Sequence, residues 1–354
     1  MIQSLLRGRY DEYELTHVRM DFSRTLGDNG RFSLGKVLHV INIIVKMFVA
    51  RVRSRPEILY YPPAGPTRLA IYRDIVVLTV TRWLFRRTVF HFHAGGIGAA
   101  YLAMDPLSRF FFRRALFRPD LAIKMADSAP DDDRILEARR TVVLPYGIRD
   151  DAARCSGTPD FDVQPPRILF AGLLRESKGP LVLIDACAEL RRRGHSFLAE
   201  FMGETPSREA WLALRDRVQS AGLEDHVRWL GVLTGLDKHR AFSRAAIFCF
   251  PTYFESESFP VVVLEAMEYS LPVVATRWRG IPDQVEDGVT GYLVPIRDPI
   301  ATADRLELLL TDKAHRADMG DAARRRFEQR FSEARYHAGF AEALRLLTTD
   351  RAPE

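Results

Sequence analysis

The chain has 354 residues, of which 47% are hydrophobic and 27% charged. This is the composition of a globular protein with more than one core, and it excludes a disordered, collagen-like or small disulfide-stapled chain. At about 150 residues per domain, the length predicts two domains. The three cysteines, Cys155, Cys187 and Cys249, are too few and too scattered for a disulfide framework or a cysteine-rich zinc site. They favour a reducing, cytoplasmic setting.

Hydropathy gives no sign of a membrane span in the sequence. An apolar run of roughly 18 residues is needed to cross a bilayer. The nearest candidate, 37–50, is shorter and is interrupted by His39, Asn42 and Lys46. The first 14 residues lack the apolar run of a secretory signal. We therefore expect a soluble protein.

Basic residues are concentrated in the first third of the chain. Residues 7–124 hold 20 lysines and arginines against 9 aspartates and glutamates. Several of them flank apolar side chains, at 82–87 and 109–114. An anionic partner such as a membrane surface would explain this pattern, and so would a solvated basic helix face. Nucleic acid is not expected, because no recognised nucleic-acid-binding motif accompanies the charge.

The first half of the chain reads as a less regular α/β domain. Residues 1–9 are typical of the end of a helix, and 17–22 of a strand. Further strand-like runs, separated by helical segments, lie at Ile58–Tyr61, Thr88–His93, Leu121–Lys124 and Val142–Leu144. The segment 151–166 has few periodic apolar residues and ends in two prolines, so it predicts an interdomain linker.

The second half alternates short apolar runs with helical segments. The predicted strands are Arg167–Ala171, Phe197–Met202, Val227–Leu230, Ala246–Phe250, Pro272–Thr276 and Tyr292–Val294. Such alternation is typical of a parallel sheet covered on both faces. After it, 321–348 reads as one long helix. The sequence thus predicts an α/β protein with two Rossmann-like doubly wound domains, at 1–160 and 161–330, facing across a cleft. A C-terminal helix at 331–354 could cross back to the first domain.

The loop between the predicted strand Ala246–Phe250 and the next helix carries the most informative residues. The predicted helix begins at Pro260, where a missing N–H costs nothing. Its N-terminus places backbone N–H groups and a positive dipole end beside the loop carboxylate Glu257, an arrangement that suits a phosphate. Glu265 follows within the helix, and both carboxylates could accept hydrogen bonds from hydroxyls. Together these features favour a sugar nucleotide as ligand.

An ordered set of motifs across 165–330 resembles the GT-B retaining glycosyltransferases, specifically glycosyltransferase family 4, also called glycosyl transferases group 1. The resemblance rests on the Glu-x7-Glu pair at Glu257 and Glu265, on 271–276 (Leu-Pro-Val-Val-Ala-Thr), and on Gly280-Ile281-Pro282-Asp283. It also rests on Phe170-Ala171-Gly172 with Lys178-Gly179. The Glu-Ser-Phe-Pro loop and Asp237-Lys238 look like those of bacterial capsular and exopolysaccharide enzymes.

The resemblance implies roles for individual residues. Glu257 would act at the donor sugar as a catalytic residue, Glu265 would bind the ribose, and Lys178 would neutralise the diphosphate leaving group. Leu173 stands where the family usually has arginine, so Arg175 is the nearest substitute. The remaining donor-binding positions are Gly172, Ser258, Phe259, Pro260 and Val261. Base recognition is expected near 229–234, largely through backbone groups.

A histidine pair ends a strand of the first half. His93 resembles the family's strand-end histidine, which lies beside the donor sugar and acceptor and would be the second catalytic residue. His91 and His93 could instead be a strand pair with one buried and one exposed ring, or part of a metal site, although no third ligand lies nearby. The Gly96-x-Gly98 pair is an incomplete dinucleotide motif. The acidic residues Asp131–Asp133, Asp160 and Asp162 are interpreted as solvated caps.

The implied function is a metal-independent, cytoplasmic hexosyltransferase that takes a nucleoside-diphosphate sugar and needs no cofactor. Its acceptor would be a lipid-linked saccharide, and it could sit peripherally on the inner face of the plasma membrane. Proteins of this pattern usually begin with a strand and a glycine-rich turn, for which the sequence shows no match, so the first domain is expected to be incomplete at its start. A sugar-nucleotide epimerase and a non-catalytic nucleotide-sugar-binding protein are the alternatives.

Overall fold

The computed structural model describes residues 2–8, 10, 12–20, 34–152 and 164–348. Contacts between Cα atoms divide the chain into two compact units. The first unit comprises Met1–Pro145 with Tyr336–Glu354, and the second unit comprises Tyr146–Arg335. Cys187 and Cys249 are buried and form no disulfide, and Cys155 lies outside the described residues.

The first unit is built on a parallel sheet in the order β1-β2-β3-β4. Its elements up to 145 are α1 (Ile2–Arg7), α2 (Leu34–Arg53), β1 (Ile58–Tyr61), α3 (Arg68–Thr81), β2 (Arg87–Phe92), α4 (Ile97–Leu102), α5 (Pro106–Leu116), β3 (Leu121–Lys124), α6 (Asp132–Ile135) and β4 (Thr141–Val143). The four strands predicted from Ile58 onwards are confirmed to within one residue.

The strand predicted at 17–22 is wrong for its described part, 17–20, which forms no strand. The apolar alternation there has another cause, because Val18 and Met20 pack their side chains against the core of the first unit. Asp21 and Phe22 lie outside the described residues.

The second unit contains a parallel sheet in the order β10-β9-β8-β5-β6-β7. Its elements are β5 (Arg167–Ala171), α7 (Pro180–Arg192), β6 (Leu198–Met202), α8 (Arg208–Ser220), β7 (Val227–Gly231), α9 (Gly235–Ser243), β8 (Ile247–Phe250), α10 (Val261–Glu268), β9 (Val273–Thr276), α11 (Ile281–Gln284), β10 (Gly291–Val294), α12 (Pro299–Thr311) and α13 (Lys313–Arg330). All six predicted strands are present. The chain winds outward in one direction from β5 and returns to its other side at β8, so β5 and β8 flank the topological switch point.

The boundary between the two units falls after Pro145, whereas the sequence predicted a domain boundary after residue 160. Residues just after 145 belong to the second unit because Ile148 is paired with the chain near 332. Its N–H donates to the Phe331 carbonyl at 2.9 Å, and its own carbonyl accepts from Glu333 N at 2.8 Å. The Arg324 guanidinium also bonds Asp150. Most of the predicted linker, 153–163, lies outside the described residues.

The C-terminal segment is two helices, so the prediction of one helix over 321–348 is wrong. α13 ends at Arg330, and α14 (Glu333–Thr348) begins three residues later. Phe331 is fully buried at the break, where the backbone on either side of Ser332 pairs with Ile148. This pairing uses backbone groups that a continuous helix would have kept for itself. Within the described residues, no helix combines the length and apolarity that crossing a bilayer requires.

Two glycines let the ends of β5 and β6 approach closely. Gly172 and Gly203 both have φ of +148°, and Gly172 N donates to the Met202 carbonyl at 3.0 Å. A Cβ on Gly203 would lie 1.8 Å from the Gly172 carbonyl oxygen. No side chain fits there, so only glycine at position 203 allows the backbone to pass this close to Gly172, beside the first loop of the second unit.

Gly203→Ala is therefore expected to lower the free energy of unfolding by about 2 kcal/mol or more, because both the backbone conformation and the contact become strained. Gly194→Ala is the matched control, since Gly194 also has positive φ but a Cβ on it would have no atom within 4 Å. It should lose about 1 kcal/mol. Urea unfolding of both variants measures the difference, and equal losses would contradict the close-approach argument.

Candidate functional site

The loops that follow β5 and β8 lie side by side at the switch point of the second unit. Lys178 ends a short 3-10 turn and is followed by Gly179 in a left-handed conformation. Tyr253 N donates to the Ser177 carbonyl at 2.8 Å, and Thr252 Oγ1 donates to the same carbonyl at 3.3 Å. These bonds join the two loops through backbone as well as side chain, so each holds the other in place.

Lys178 and Glu257 form the central ion pair of this site. Lys178 Nζ lies 2.6 Å from Glu257 Oε2, which also accepts from Thr252 Oγ1 at 3.3 Å. The Glu257 residue is only 7% exposed. The ammonium group also lies 4.5 Å from the centre of the Phe254 ring. The site thus presents a fixed, partly desolvated cation and a carboxylate acceptor within one hydrogen bond of each other, which suits a ligand bearing both phosphate and hydroxyl groups.

Glu265 lies in a cavity of about 390 Å³ in the second unit. Its Oε1 accepts from Lys238 Nζ at 2.7 Å, while its buried Oε2 has no protein partner among the described residues. The cavity walls are Ile148, Arg149, Asp151, Leu233, Thr234, Gly235, Lys238, His239, Phe242, Glu265, Glu268 and Tyr269. The lining includes the 233–235 turn, which overlaps the segment where base recognition was expected.

The other predicted donor-binding residues differ in the solvent exposure of their side chains. Arg175 is exposed, and its guanidinium lies 5.3 Å from the Phe254 ring centre. Ser258 and Phe259 are buried, and Phe259 packs edge-on against Phe331, so neither side chain is presented to a ligand. Pro260 caps α10 instead of starting it, because its ψ of 118° is extended. Val261 is the first helical residue.

Gly172 completes the predicted set at the end of β5. A side chain there would lie 3.5 Å from the Phe250 ring, and its φ is +148°. The structure therefore brings Gly172, Arg175, Lys178 and Glu257 to the neighbouring β5 and β8 loops. Glu265, one turn into α10, lines the adjoining wall of the same unit.

The two histidines lie in the first unit at the end of β2. Tyr60 Oη lies 2.8 Å from His91 Nδ1 and 3.5 Å from His93 Nε2, and the two imidazole rings are 4.1 Å apart. His91 is fully buried and His93 half-buried. Burial lowers the pKa of His93 to about 4, so its imidazole is neutral near pH 7. No cluster of three or more potential metal ligands occurs in the described residues.

Asp132 has a structural role in this turn that the sequence did not indicate. It is 2% exposed, and its carboxylate accepts from Gly96 N and Gly98 N, both at 2.8 Å. Asp133 is also buried and accepts from Thr141 Oγ1. The interpretation of these two residues as solvated caps is wrong, because the carboxylate of Asp132 satisfies backbone donors of the glycine turn that follows His93. Asp160 and Asp162 lie outside the described residues.

Glu268 is a further residue of the cavity wall that the sequence did not indicate. Its Oε1 accepts from Asp151 N at 2.6 Å and Ala152 N at 2.7 Å, which fixes the segment entering the second unit. Burial raises the pKa of Glu268 to about 7. The signal in the sequence was weak, since Glu268 is one of several acidic residues in the region and its partners are 116 and 117 residues away.

A carboxyl group whose pKa is higher in the folded state than in the unfolded state stabilises the fold most fully at a pH below its unfolded-state pKa. This stabilisation is lost as the pH rises through the folded-state pKa. For Glu268 the window runs from about pH 4.5 to about pH 7, and it is worth roughly 3 kcal/mol. Glu268→Gln should therefore flatten the fall in Tm between about pH 5 and 8, while the exposed control Glu342→Gln leaves it unchanged. Identical Tm–pH slopes for wild type and Glu268→Gln would contradict this assignment.

Comparison with known proteins shows a family similarity for about half of the chain. Residues 157–326 match the family described as glycosyl transferases group 1. This part of the chain is therefore similar to the glycosyl transferases group 1 family, the family that its motifs resemble. Both parallel sheets with their helices give the α/β architecture of GT-B glycosyltransferases.

Curated relatives match about half of the chain. D-inositol 3-phosphate glycosyltransferase of Corynebacterium diphtheriae is 36% identical over 177 residues, which cover 49% of this chain and 40% of that protein. Amylovoran biosynthesis glycosyltransferase AmsK of Erwinia amylovora is 32% identical over 188 residues, covering 52% of this chain and 46% of that protein. The aligned part thus spans less than half the length of these relatives.

Solved structures match over most of the chain. Anabaena Alr3699/HepE in complex with UDP and glucose superposes with a TM-score of 0.65 at 19% identity, covering 86% of this chain and 81% of that one. Sucrose-phosphate synthase from Thermosynechococcus elongatus gives a TM-score of 0.71 at 18% identity, covering 94% and 83%. At these identities the likeness concerns the fold, and it extends to both units.

Proposed function

We propose that this protein is a retaining glycosyltransferase of family 4 that moves a sugar from a nucleoside diphosphate to an acceptor hydroxyl. The observation that carries the proposal is the pairing of two lysines with the two glutamates of the Glu-x7-Glu motif, Lys178 with Glu257 and Lys238 with Glu265. Both carboxylates have a cation within 2.7 Å, and Glu265 adjoins a cavity of about 390 Å³. That arrangement provides separate positions for sugar hydroxyls, diphosphate and ribose.

In this reaction Lys178 stabilises the negative charge that develops on the departing diphosphate. Arg175, exposed on the same loop, supplies a second cation. Glu257 accepts hydrogen bonds from hydroxyls of the donor sugar, and Glu265, which lines the cavity, accepts from a ribose hydroxyl. Binding at these points holds the anomeric carbon in a fixed position relative to the leaving group.

Transfer proceeds on the face from which the diphosphate leaves. The bond from the anomeric carbon to the phosphate oxygen breaks, and a bond from that carbon to the acceptor oxygen forms on the same face. The acceptor proton passes to the departing phosphate oxygen, so charge and atoms balance within the two substrates. His93, neutral at pH 7, orients the sugar and acceptor by hydrogen bonding.

The relatives and the charge of the chain support a proposal for the acceptor class. The similarity to an amylovoran biosynthesis glycosyltransferase supports a role in bacterial cell-surface polysaccharide synthesis. A lipid-linked saccharide acceptor would lie at the inner face of the plasma membrane, which fits the excess of basic residues in 7–124. The protein would then be cytoplasmic and peripheral to that membrane, with the first unit on the acceptor side and the second on the donor side.

Donor binding is tested by thermal shift with UDP- and GDP-sugars, with and without EDTA. One nucleotide class should raise the Tm, because a ligand that binds only the folded state stabilises it, and EDTA should leave the shift unchanged. Lys178→Ala should weaken the affinity about tenfold or more, as a charge-assisted hydrogen bond is lost. Lys178→Arg should retain part of it. A folded protein that shows no shift with any donor would refute the proposed donor site.

Turnover separates the proposal from its two alternatives. Glu257→Gln should reduce kcat by about 100-fold or more, since it replaces the charged acceptor at the reacting sugar. Glu255→Gln is the matched control, because Glu255 is exposed on the same loop, and it should keep wild-type turnover. Release of an isomerised donor without acceptor would identify an epimerase. Donor binding without any turnover, by a wild-type protein supplied with lipid-linked acceptors, would identify a binding protein.

A further inference from the structure

Three helices of the first unit form one layer over its core. α2, α3 and α5 all contribute buried side chains to the same hydrophobic cluster, among them Met47, Ile75 and Phe112. α3 is joined to α5 by the hydrogen bond between Tyr72 Oη and Ser108 Oγ at 3.0 Å. The turn after α3 is joined to α2 by Arg51 Nε, which donates to the Leu84 carbonyl at 2.8 Å. Their outer sides therefore make one continuous surface, here called the three-helix face.

The three-helix face exposes large apolar side chains in rows along each helix. Exposed fractions reach 75% at Val52, 70% at Trp83, 68% at Leu107 and 62% at Phe110. The members are Leu38, Ile41, Val45, Val49 and Val52 on α2, Leu69, Tyr72, Val76 and Val80 on α3, Trp83 after it, and Leu107, Phe110 and Phe111 on α5. Single exposed apolar residues are ordinary, but three adjacent rows form a patch that marks an interaction surface.

Charge on this face has one sign. The segments hold four lysines and arginines in α2, two in α3 and three in α5. The only carboxylate in these helices is Asp74, which is fully buried and accepts from Tyr61 Oη and Ala64 N. An apolar surface that is flanked by cations and presents no carboxylate from its own helices complements an anionic, apolar partner.

A basic pocket of about 370 Å³ adjoins the face at Trp83. Trp83 packs edge-on against Phe48 of α2 and also lines this pocket. Six arginines contribute to the lining, Arg82, Arg86, Arg87, Arg114, Arg118 and Arg139, against one carboxylate, Asp120. Arg87 and Arg139 share that carboxylate, and Arg118 pairs with Glu137 outside the lining. The lining as a whole keeps a net positive charge. Such a pocket can receive phosphate groups at the edge of an apolar surface.

We propose that the three-helix face docks on an anionic lipid bilayer, with its apolar rows in the interfacial region and the arginine pocket against lipid phosphates. Tryptophan, tyrosine and phenylalanine beside cations are the composition of surfaces that lie in a membrane interface. A bilayer fits better than a protein partner because apolar rows run along three helices and aromatic side chains lie beside basic residues there. The start of α3 lies near the turn after His93, since a Cβ on Gly96 of that turn would lie 3.7 Å from the Pro66 ring.

The docking itself is independent of catalysis. Its purpose would be to bring a lipid-linked acceptor to His93, and that part rests on the proposed function. Flotation of the full chain with vesicles tests the docking directly. We expect binding to phosphatidylcholine vesicles that contain one third phosphatidylglycerol, little binding to phosphatidylcholine alone, and loss of binding at high salt. Failure to float with the anionic vesicles at low salt would overturn the proposal.

Three double variants locate the surface. Leu107→Ser/Phe110→Ser and Val45→Ser/Val52→Ser remove apolar side chains from different helices, and Arg86→Gln/Arg114→Gln removes two cations at the pocket. Each pair should weaken vesicle binding about tenfold. Ile300→Ser/Leu308→Ser is the matched control, because these residues are 52% and 43% exposed on α12 of the second unit, and it should bind as wild type. Equal loss in the control would overturn the assignment.

Two further measurements distinguish a bilayer from a second copy of the chain, and docking from catalysis. Light scattering reports whether a second copy covers the face. A dimer that the apolar variants dissociate, without vesicle binding by the wild type, would overturn the bilayer as occupant. The donor-induced thermal shift, measured on the same variants, should be unchanged. Vesicle binding without a donor shift in any form would leave the docking standing and refute the proposed function instead.

Discussion

The site in the second unit depends on one topological constraint, the adjacency of β5 and β8. Strands that are far apart in sequence become neighbours there because the chain winds outward from β5 and then returns to its other side. The loops that follow two such strands diverge to opposite faces, and the crevice between them is where ligands of doubly wound sheets bind. Lys178 follows one strand and Glu257 the other. Their 2.6 Å contact is thus a direct product of strand order.

Around that contact, burial and backbone hydrogen bonds fix the charged groups in place. Lys178 and Glu257 are both largely removed from solvent, so each is costly to leave unpaired and each is strongly attracted to a charged or hydroxylated ligand. The loops are fixed by bonds to the Ser177 carbonyl and by Thr276 Oγ1, which donates to the Thr252 carbonyl. Preorganisation of this kind is what lets a site stabilise developing charge without moving.

The first unit combines two different surfaces on one small sheet. The carboxyl end of β2 carries a neutral, partly buried histidine whose turn is held by the carboxylate of Asp132. The helices α2, α3 and α5, in contrast, present apolar rows with cations between them. A polar edge and an apolar docking face on the same unit would suit an acceptor that has a sugar at one end and lipid at the other.

The sequence by itself determined the strands from Ile58 onwards, the α/β class, and the motif residues Lys178, Glu257 and Glu265. These follow from local signals, since buried parallel strands are short apolar runs and the motifs are contiguous. Only the tertiary structure decided the role of Asp132, the clamp of Glu268 on the segment near 151, and the break at Phe331. Each depends on partners distant in sequence, whose hydrogen bonds leave no local pattern. The described part of the strand predicted at 17–22, residues 17–20, forms no strand for the same reason. Alternating apolar residues indicate burial on one side of the chain but not the neighbouring strand that would complete a sheet.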